Sequence, residues 1–251
     1  MKTGILVQTI TKISLRIKSA IAPELRHAQS IYEDVLMGLS KGRDAWLDIG
    51  CGHNLLPEWR LQAEKDLVEN CDLIAGIDAN FSSLKKHRTI SKKIMGDASS
   101  LPFKAETFDL LTANMVVEHL DNPSLQMRQI ARVLRPGGLF VFHTPNLFGY
   151  ATILARLIPE FLKFRIIYLL ERRREDDIFK TFYKLNSRAG IIRLAGENSF
   201  RVKEIKMITS LASSAIIPPF YFFELMWIKI LATKLFRPLR TNIIAILQKQ
   251  D

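Results

Sequence analysis

The richest chemistry in the chain lies in Ala45-Trp46-Leu47-Asp48-Ile49-Gly50-Cys51-Gly52-His53-Asn54, where an apolar run ends in an acid and two glycines follow one residue apart. This is how a buried strand delivers its tip to a tight turn, since glycine takes positive φ and lets a ligand approach the backbone closely. A carboxylate from Asp48 at the mouth of such a turn repels a pyrophosphate and suits a cationic, amine-bearing ligand. Three more polar residues close apolar runs or sit just beyond them: Asp78, Asp97 and Asn114. Two histidines follow, His119 in a Glu118-His119 pair and His143 at the end of an apolar run. An imidazole titrates at about 6.5 and can serve as a general base. Loop ordering suits Glu118 and His119 equally well, and a core role suits His143. No His/Asp/Glu cluster has metal-ligand spacing, so no metal is expected.

Elements must hold these residues in place. The 251 residues suffice for one α/β domain with a small insertion. At 48% hydrophobic and 24% charged, the mix is that of a globular protein. Thirty-six Lys and Arg against 25 Asp and Glu give a net charge of +11, which favours anionic partners such as nucleic acid, anionic lipid or a phosphorylated substrate. Only Cys51 and Cys71 are present, too few for a disulfide framework or a zinc cluster, so a reducing, cytoplasmic compartment is expected. Lys12, Arg16 and Lys18 interrupt the apolar N-terminal stretch, which therefore does not read as a signal peptide. Ile205 to Phe236 is the most membrane-like segment, but Pro218-Pro219, Glu224 and Lys229 break it.

Residues 1–43 read as a helical cap. Ile10, Ile13, Ile17 and Ile21 repeat at helical spacing, and a second helix is expected from Pro23 to about Leu39. Strands are then predicted at Ala45–Ile49, Leu73–Asp78, Ile94–Gly96, Phe108–Ala113, Leu139–His143, Phe200–Ile208 and Asn242–Gln248. Helices are predicted at Leu55–Glu69, Ser82–Ser91, Ser124–Leu134, Ser187–Gly196 and 219–236. Such alternation predicts a parallel sheet with right-handed crossovers. Residues 44–251 form the main domain in this reading, and a helical insertion at about 147–180 follows the fifth strand.

Five segments, in order, resemble the class I S-adenosylmethionine (SAM)-dependent methyltransferases, in the branch of ubiquinone/menaquinone C-methyltransferase-like proteins. They are Leu47–Gly52, Leu73–Asp78, Met95–Phe103, Phe108–Leu120 and Leu134–Asn146. The resemblance is strong over about residues 44–146. It implies a Rossmann-like, seven-stranded, mostly parallel sheet with helices on both faces. It also implies SAM as cofactor: Asp48, Gly50, Cys51 and Gly52 around the methionine part, Asp78 on the ribose, Ala79 and Asn80 beside the adenine, Asp97 on its amino group and the Ala98 backbone on its ring. Asn114, followed by Met115, is placed next to the transferring methyl. The sequence departs from the family at Asn54, where a third glycine is usual; Asn tolerates left-handed backbone better than most residues. The Arg-Pro-Gly-Gly at Arg135–Gly138 resembles the family's turn into the fifth strand. The reaction implied is in-line displacement, in which a substrate O, N or activated C takes the methyl, with His119 and His143 as candidate bases.

The flanking segments bear on the acceptor. Leu147–Leu170 and Phe220–Phe236 are apolar and aromatic, with Arg156, Lys163, Arg165, Lys229 and Lys234 interspersed. They suit a lid over an apolar substrate or a surface on the inner face of a membrane, and equally packing on each other or on a second subunit. A small or lipid-linked acceptor is the leading expectation. Tyr183, in Lys180–Ser187, is a further pocket candidate. A nucleic-acid methyltransferase is disfavoured, because Asn114-Met115-Val116-Val117 lacks the Pro-Pro-aromatic loop of amino-directed enzymes. A catalytically inactive binding protein is the other alternative, and a nicotinamide dehydrogenase fits least.

Overall fold

The computed structural model describes residues 2–158, 180–211 and 218–251. Seven strands form one sheet: β1 (Ala45–Ile49), β2 (Leu73–Asp78), β3 (Lys92–Met95), β4 (Phe108–Asn114), β5 (Leu134–Pro145), β6 (Phe200–Ile208) and β7 (Asn242–Lys249). Their spatial order is β3-β2-β1-β4-β5-β7-β6. The first five run parallel, and β7 pairs antiparallel with both β5 and β6. The chain steps outward from β1 in both directions, and open α/β sheets bind ligands at such a reversal point, beyond the carboxyl ends of the strands.

Side-chain alternation along the strands builds two cores. Leu47, Ile49, Leu111, Ala113, Phe140 and Phe142 face α5 (Pro123–Val133) and α7 (Arg188–Glu197). Trp46, Leu110, Leu139 and Val141 face α2 (Ala28–Leu39), α3 (Leu61–Glu69) and α4 (Phe81–Lys86). Burial on both faces makes these strands near-continuous apolar runs, which is why they were legible. Two further helices, α6 (Tyr150–Leu157) and α8 (Pro218–Leu231), follow β5 and β6. The leading helix α1 (Lys2–Ile21) packs on α8 in a small separate core of Ala22, Tyr221, Leu225 and Ile228.

Several boundaries differ from expectation. Pro23 lies in a turn, and α2 starts only after His27, whose ring accepts the Gln29 N–H (3.2 Å). The Arg135–Gly138 segment lies inside β5 as a bulge: Phe108 pairs with Leu134, and Leu110 already pairs with Leu139. Gly137, at φ +75°, permits it. The helix expected over 219–236 ends at Leu231, where Arg240 donates to the carbonyls of Leu231 (3.0 Å) and Ala232 (2.5 Å). A cation on the last carbonyls caps a helix effectively. Of the insertion expected at 147–180, α6 is described and residues 159–179 lie outside the described residues.

Candidate functional site

The glycine turn after β1 sits where strand sterics leave no alternative. Gly50 has φ +67°, and a β-carbon there would overlap the Val116 side chain. Gly52 has φ +54°, but a β-carbon there would meet nothing within 4 Å, so its backbone borders open space. Between them Cys51 turns its thiol inward against Gly76, and burial raises that thiol's pKa, which leaves it unreactive. Asp78 at the tip of β2 orders the turn: one carboxylate oxygen accepts the Gly52 N–H (2.8 Å), the other the Asn80 N–H (2.7 Å). Each oxygen keeps a second lone pair for a ligand hydroxyl. Asn80 caps α4 through the Ser83 N–H (3.2 Å), and Ala79 is exposed. Beyond β3, Asp97 is exposed and holds Ser99 through one oxygen, while Ala98 is buried beside it. Asn54 is not among the residues with positive φ; it acts through its side-chain amide, which donates to the Leu56 carbonyl (2.7 Å).

Asp48 lies on the α2 face of the sheet, 5% exposed. It accepts the Thr112 hydroxyl (2.5 Å), which in turn accepts the Trp46 indole N–H (2.7 Å). Burial pushes its pKa up to about 7; the Thr112 bond opposes this, and the charges of Asp78 and Glu64 add to it.

Next to it runs a chain of amides. Asn114 donates to Gln29 Oε1 (3.0 Å), so its own oxygen faces His143 Nδ1 (2.9 Å), and His143 Nε2 faces the Asn242 amide (3.0 Å). That pattern assigns the proton of His143 to Nδ1 and makes Nε2 an acceptor. Burial lowers the His143 pKa to about 4, so the ring stays neutral. Tyr32 stacks on it, ring centres 5.6 Å apart. Two donors of α2, Gln29 Nε2 and Tyr32 Oη, are buried with no partner among the described residues. The Asp48 charge lies close enough to raise the Tyr32 pKa, after burial itself. Gln29, Tyr32, Thr112 and Asn242 were not anticipated. The spacing of Gln29 and Tyr32 by three on one helix face was the available signal.

The Glu118-His119 pair occupies the opposite face. Met115, just past β4, has φ +56°, a conformation a side chain rarely adopts, and its N–H is held by the His143 carbonyl (2.8 Å). Glu118 is buried; it accepts the Thr144 hydroxyl (2.9 Å), which accepts the Asn186 amide (2.6 Å). Burial raises its pKa. Residues 180–187 strap this pair: the N–H groups of Phe182 (2.7 Å) and Tyr183 (3.1 Å) donate to the Glu118 carbonyl, and His119 Nδ1 lies 2.9 Å from the Lys180 carbonyl. The structure thus groups Asp48, Gly50, Cys51, Gly52 and Asp78 at one turn, with Asp97 and Ala98 at the neighbouring strand end. Asn114 and His143 meet under α2, and His119 stands apart on the other side of the sheet. Among the described residues no group of His, Cys, Asp and Glu is arranged to hold a metal.

Comparison with known proteins bears on the domain and the fold. Residues 47–142 match the family described as "Methyltransferase domain". The chain is 34% identical over 98 residues to the mitochondrial arginine-hydroxylase NDUFAF5 of Danio rerio, covering 38% of this chain and 29% of that protein. It is 32% identical over 111 residues to a demethylmenaquinone methyltransferase of Staphylococcus aureus, covering 42% and 44%. The chain thus spans less than half the length of these curated relatives. Among solved structures, an S-adenosylmethionine-dependent methyltransferase from Mesorhizobium loti shares the fold with a TM-score of 0.56 at 16% identity, covering 86% of this chain and 95% of that one. The YcgJ protein of Bacillus subtilis does so with a TM-score of 0.53 at 15% identity, covering 88% and 99%. Sheet order and structural likeness agree on the fold, which is that of S-adenosylmethionine-dependent methyltransferases, and within it residues 47–142 match the methyltransferase-domain family.

Proposed function

We propose that the protein transfers a methyl group from SAM to an O, N or C atom of a small or lipid-linked acceptor. The observation that carries this reading is the pairing of an open-sided glycine turn at Gly52 with two acids, Asp48 and Asp78, at adjacent strand ends. The residues present fit SAM. Asp48 offers a buried anion to an ammonium group, and Asp78 offers free lone pairs to ribose hydroxyls. Asp97 keeps one carboxylate oxygen for an exocyclic amine, with Ala79, Asn80 and Ala98 around it. When bound, SAM supplies a methyl group already activated by its sulfonium, so the protein's task is alignment and water exclusion.

Asn114 and Met115 border the acceptor side in this reading. His143 acts as a positioning residue: both ring nitrogens are engaged, and its low pKa keeps it neutral while it orients Asn114. The methyltransferase relative from Staphylococcus aureus favours a small acceptor. The relative named as an arginine-hydroxylase shows that a chain similar over this domain carries the name of a different reaction, so activity must be assayed directly. Two free cysteines accord with a cytoplasmic location, and peripheral association with the inner face of a membrane goes with a lipid-linked acceptor.

Calorimetric titration with SAM tests the reading. Micromolar binding is expected, weakened about 100-fold by Asp78→Ala, since bonds to a charged partner contribute about 1.5–3 kcal/mol each. No heat from the native protein would overturn it.

A further inference from the structure

We propose that α1, α6 and α8 together form a docking surface for an anionic phospholipid bilayer. The sequence of α8 sets two faces at helical spacing. Tyr221, Leu225, Ile228 and Leu231 are buried, the first three of them against Ile17, Ile21 and Ala22 of the α1 region. The outward face is apolar too: Phe222, Phe223, Met226, Trp227 and Ile230 are exposed, Phe223 by 70%. A helix facing water on that side carries polar residues there; this one carries aromatic groups instead.

The patch continues across α6. The Tyr150 hydroxyl donates to Glu224 (2.7 Å), tying α6 to α8, and α6 exposes Ile153, Leu154 and Leu157, the last by 73%. Phe148, just before α6, is exposed as well.

Charge decides the occupant. Residues 2–21, 150–157 and 218–240 contain nine Lys and Arg against one acid, so 51 residues hold +8 of the chain's +11. The one acid, Glu224, accepts the Tyr150 bond. Lys229 and Lys234 are exposed beside the aromatic face, in the arrangement that lets apolar groups enter a bilayer while lysines reach headgroup phosphates. A second copy of the chain suits this surface poorly, because a two-fold contact would set the same positive charges against each other. No described helix is long and apolar enough to cross a membrane, so the surface lies on the bilayer. The patch also adjoins the proposed site: α6 begins five residues beyond the end of β5, and Asn146 bonds the carbonyls of Pro238 (2.8 Å) and Arg240 (2.6 Å) beyond α8. A lipid-linked acceptor would thus approach from the docked face.

Flotation of the purified chain with phosphatidylcholine vesicles, with and without phosphatidylglycerol, tests this without SAM, so it stands or falls separately from methyl transfer. Binding is expected only with phosphatidylglycerol, falling as salt rises. The pair Lys229→Gln and Lys234→Gln should weaken it about 30-fold, at about 1 kcal/mol per lysine near an anionic surface. The pair Phe223→Glu and Trp227→Glu should abolish it with the thermal melt unchanged. Equal binding to both vesicles, or binding untouched by either pair, overturns the proposal. So does light scattering that shows a dimer dissolved by Phe223→Glu, which would make the face a subunit contact.

Discussion

Polar networks are buried on both faces of the sheet at its carboxyl edge, and they end differently. Under α2, Asp48, Asn114, His143 and Asn242 run into two donors, Gln29 Nε2 and Tyr32 Oη, that have no partner among the described residues. On the α5 and α7 face, Glu118, Thr144 and Asn186 are tied together and closed by residues 180–187; the buried atoms without a partner among the described residues there, Gln126 Oε1, Asn186 Oδ1 and Asn198 Oδ1, are all acceptors. A buried donor without a partner costs about 1–3 kcal/mol, which a fold bears where a ligand supplies the missing acceptor. In the function proposed above, the α2 side is the ligand side, and the other side holds the floor of the proposed site in place.

The largest expected test of this contrast is pH. Asp48 carries a folded pKa of about 7 against 3.8 in the unfolded chain, so between those values the native state holds a proton that the unfolded state has lost. Stability of the free protein should fall by roughly 3 kcal/mol as pH rises from 4 to 7 on this account alone. SAM affinity should move the other way, rising towards pH 7 as the carboxylate becomes available to the ammonium. Asp48→Asn should flatten both profiles, measured by urea unfolding and calorimetry across that range. Next comes Asn186→Ala, which removes bonds to Thr144 and to the Pro145 carbonyl (3.0 Å). It should cost about 2 kcal/mol of stability and leave the SAM dissociation constant within about twofold. A large loss of affinity would erase the distinction between the two faces. The smallest effect on stability belongs to Tyr32→Phe. Losing an unpaired buried hydroxyl should stabilise the free protein by about 1 kcal/mol and weaken ligand binding about tenfold. A destabilised variant with intact binding would show that the hydroxyl serves the core.

The contrast also marks what the sequence could say. The turn at Asp48–Gly52, the acid at Asp78 and the strands β1, β2 and β6 were legible because each is a local pattern: an apolar run, a stop, a glycine. Gln29 and Tyr32 were hidden because their meaning depends on α2 lying over β1, β4 and β5, a docking that no local window contains. Thr112 and Asn242 escaped for a related reason. Thr112 faces Asp48 through β1–β4 register, and Asn242 faces His143 across an antiparallel pair 99 residues apart in the chain. Asn54 shows the limit of motif matching. The family usually has a third glycine there and left-handed backbone was the expected reason for Asn; instead its side-chain amide holds the Leu56 carbonyl and its φ is not positive.

The position of β7 has a consequence for how the molecule comes into being. Among the described residues it is the last of the sheet's seven strands, but it lies between β5 and β6. As the protein is synthesised from its N-terminus, β1 to β5 can zip together early, while β6 waits unpaired. When β7 slides into the gap it finishes the sheet and brings Asn242 to His143 in one event. A product cut short before Asn242 therefore keeps the glycine turn but leaves an open strand edge and a histidine lacking its anchor. Assembly order thus makes the anchoring of His143 the last step, and incomplete chains are the ones with an edge for aggregation and quality control to grip.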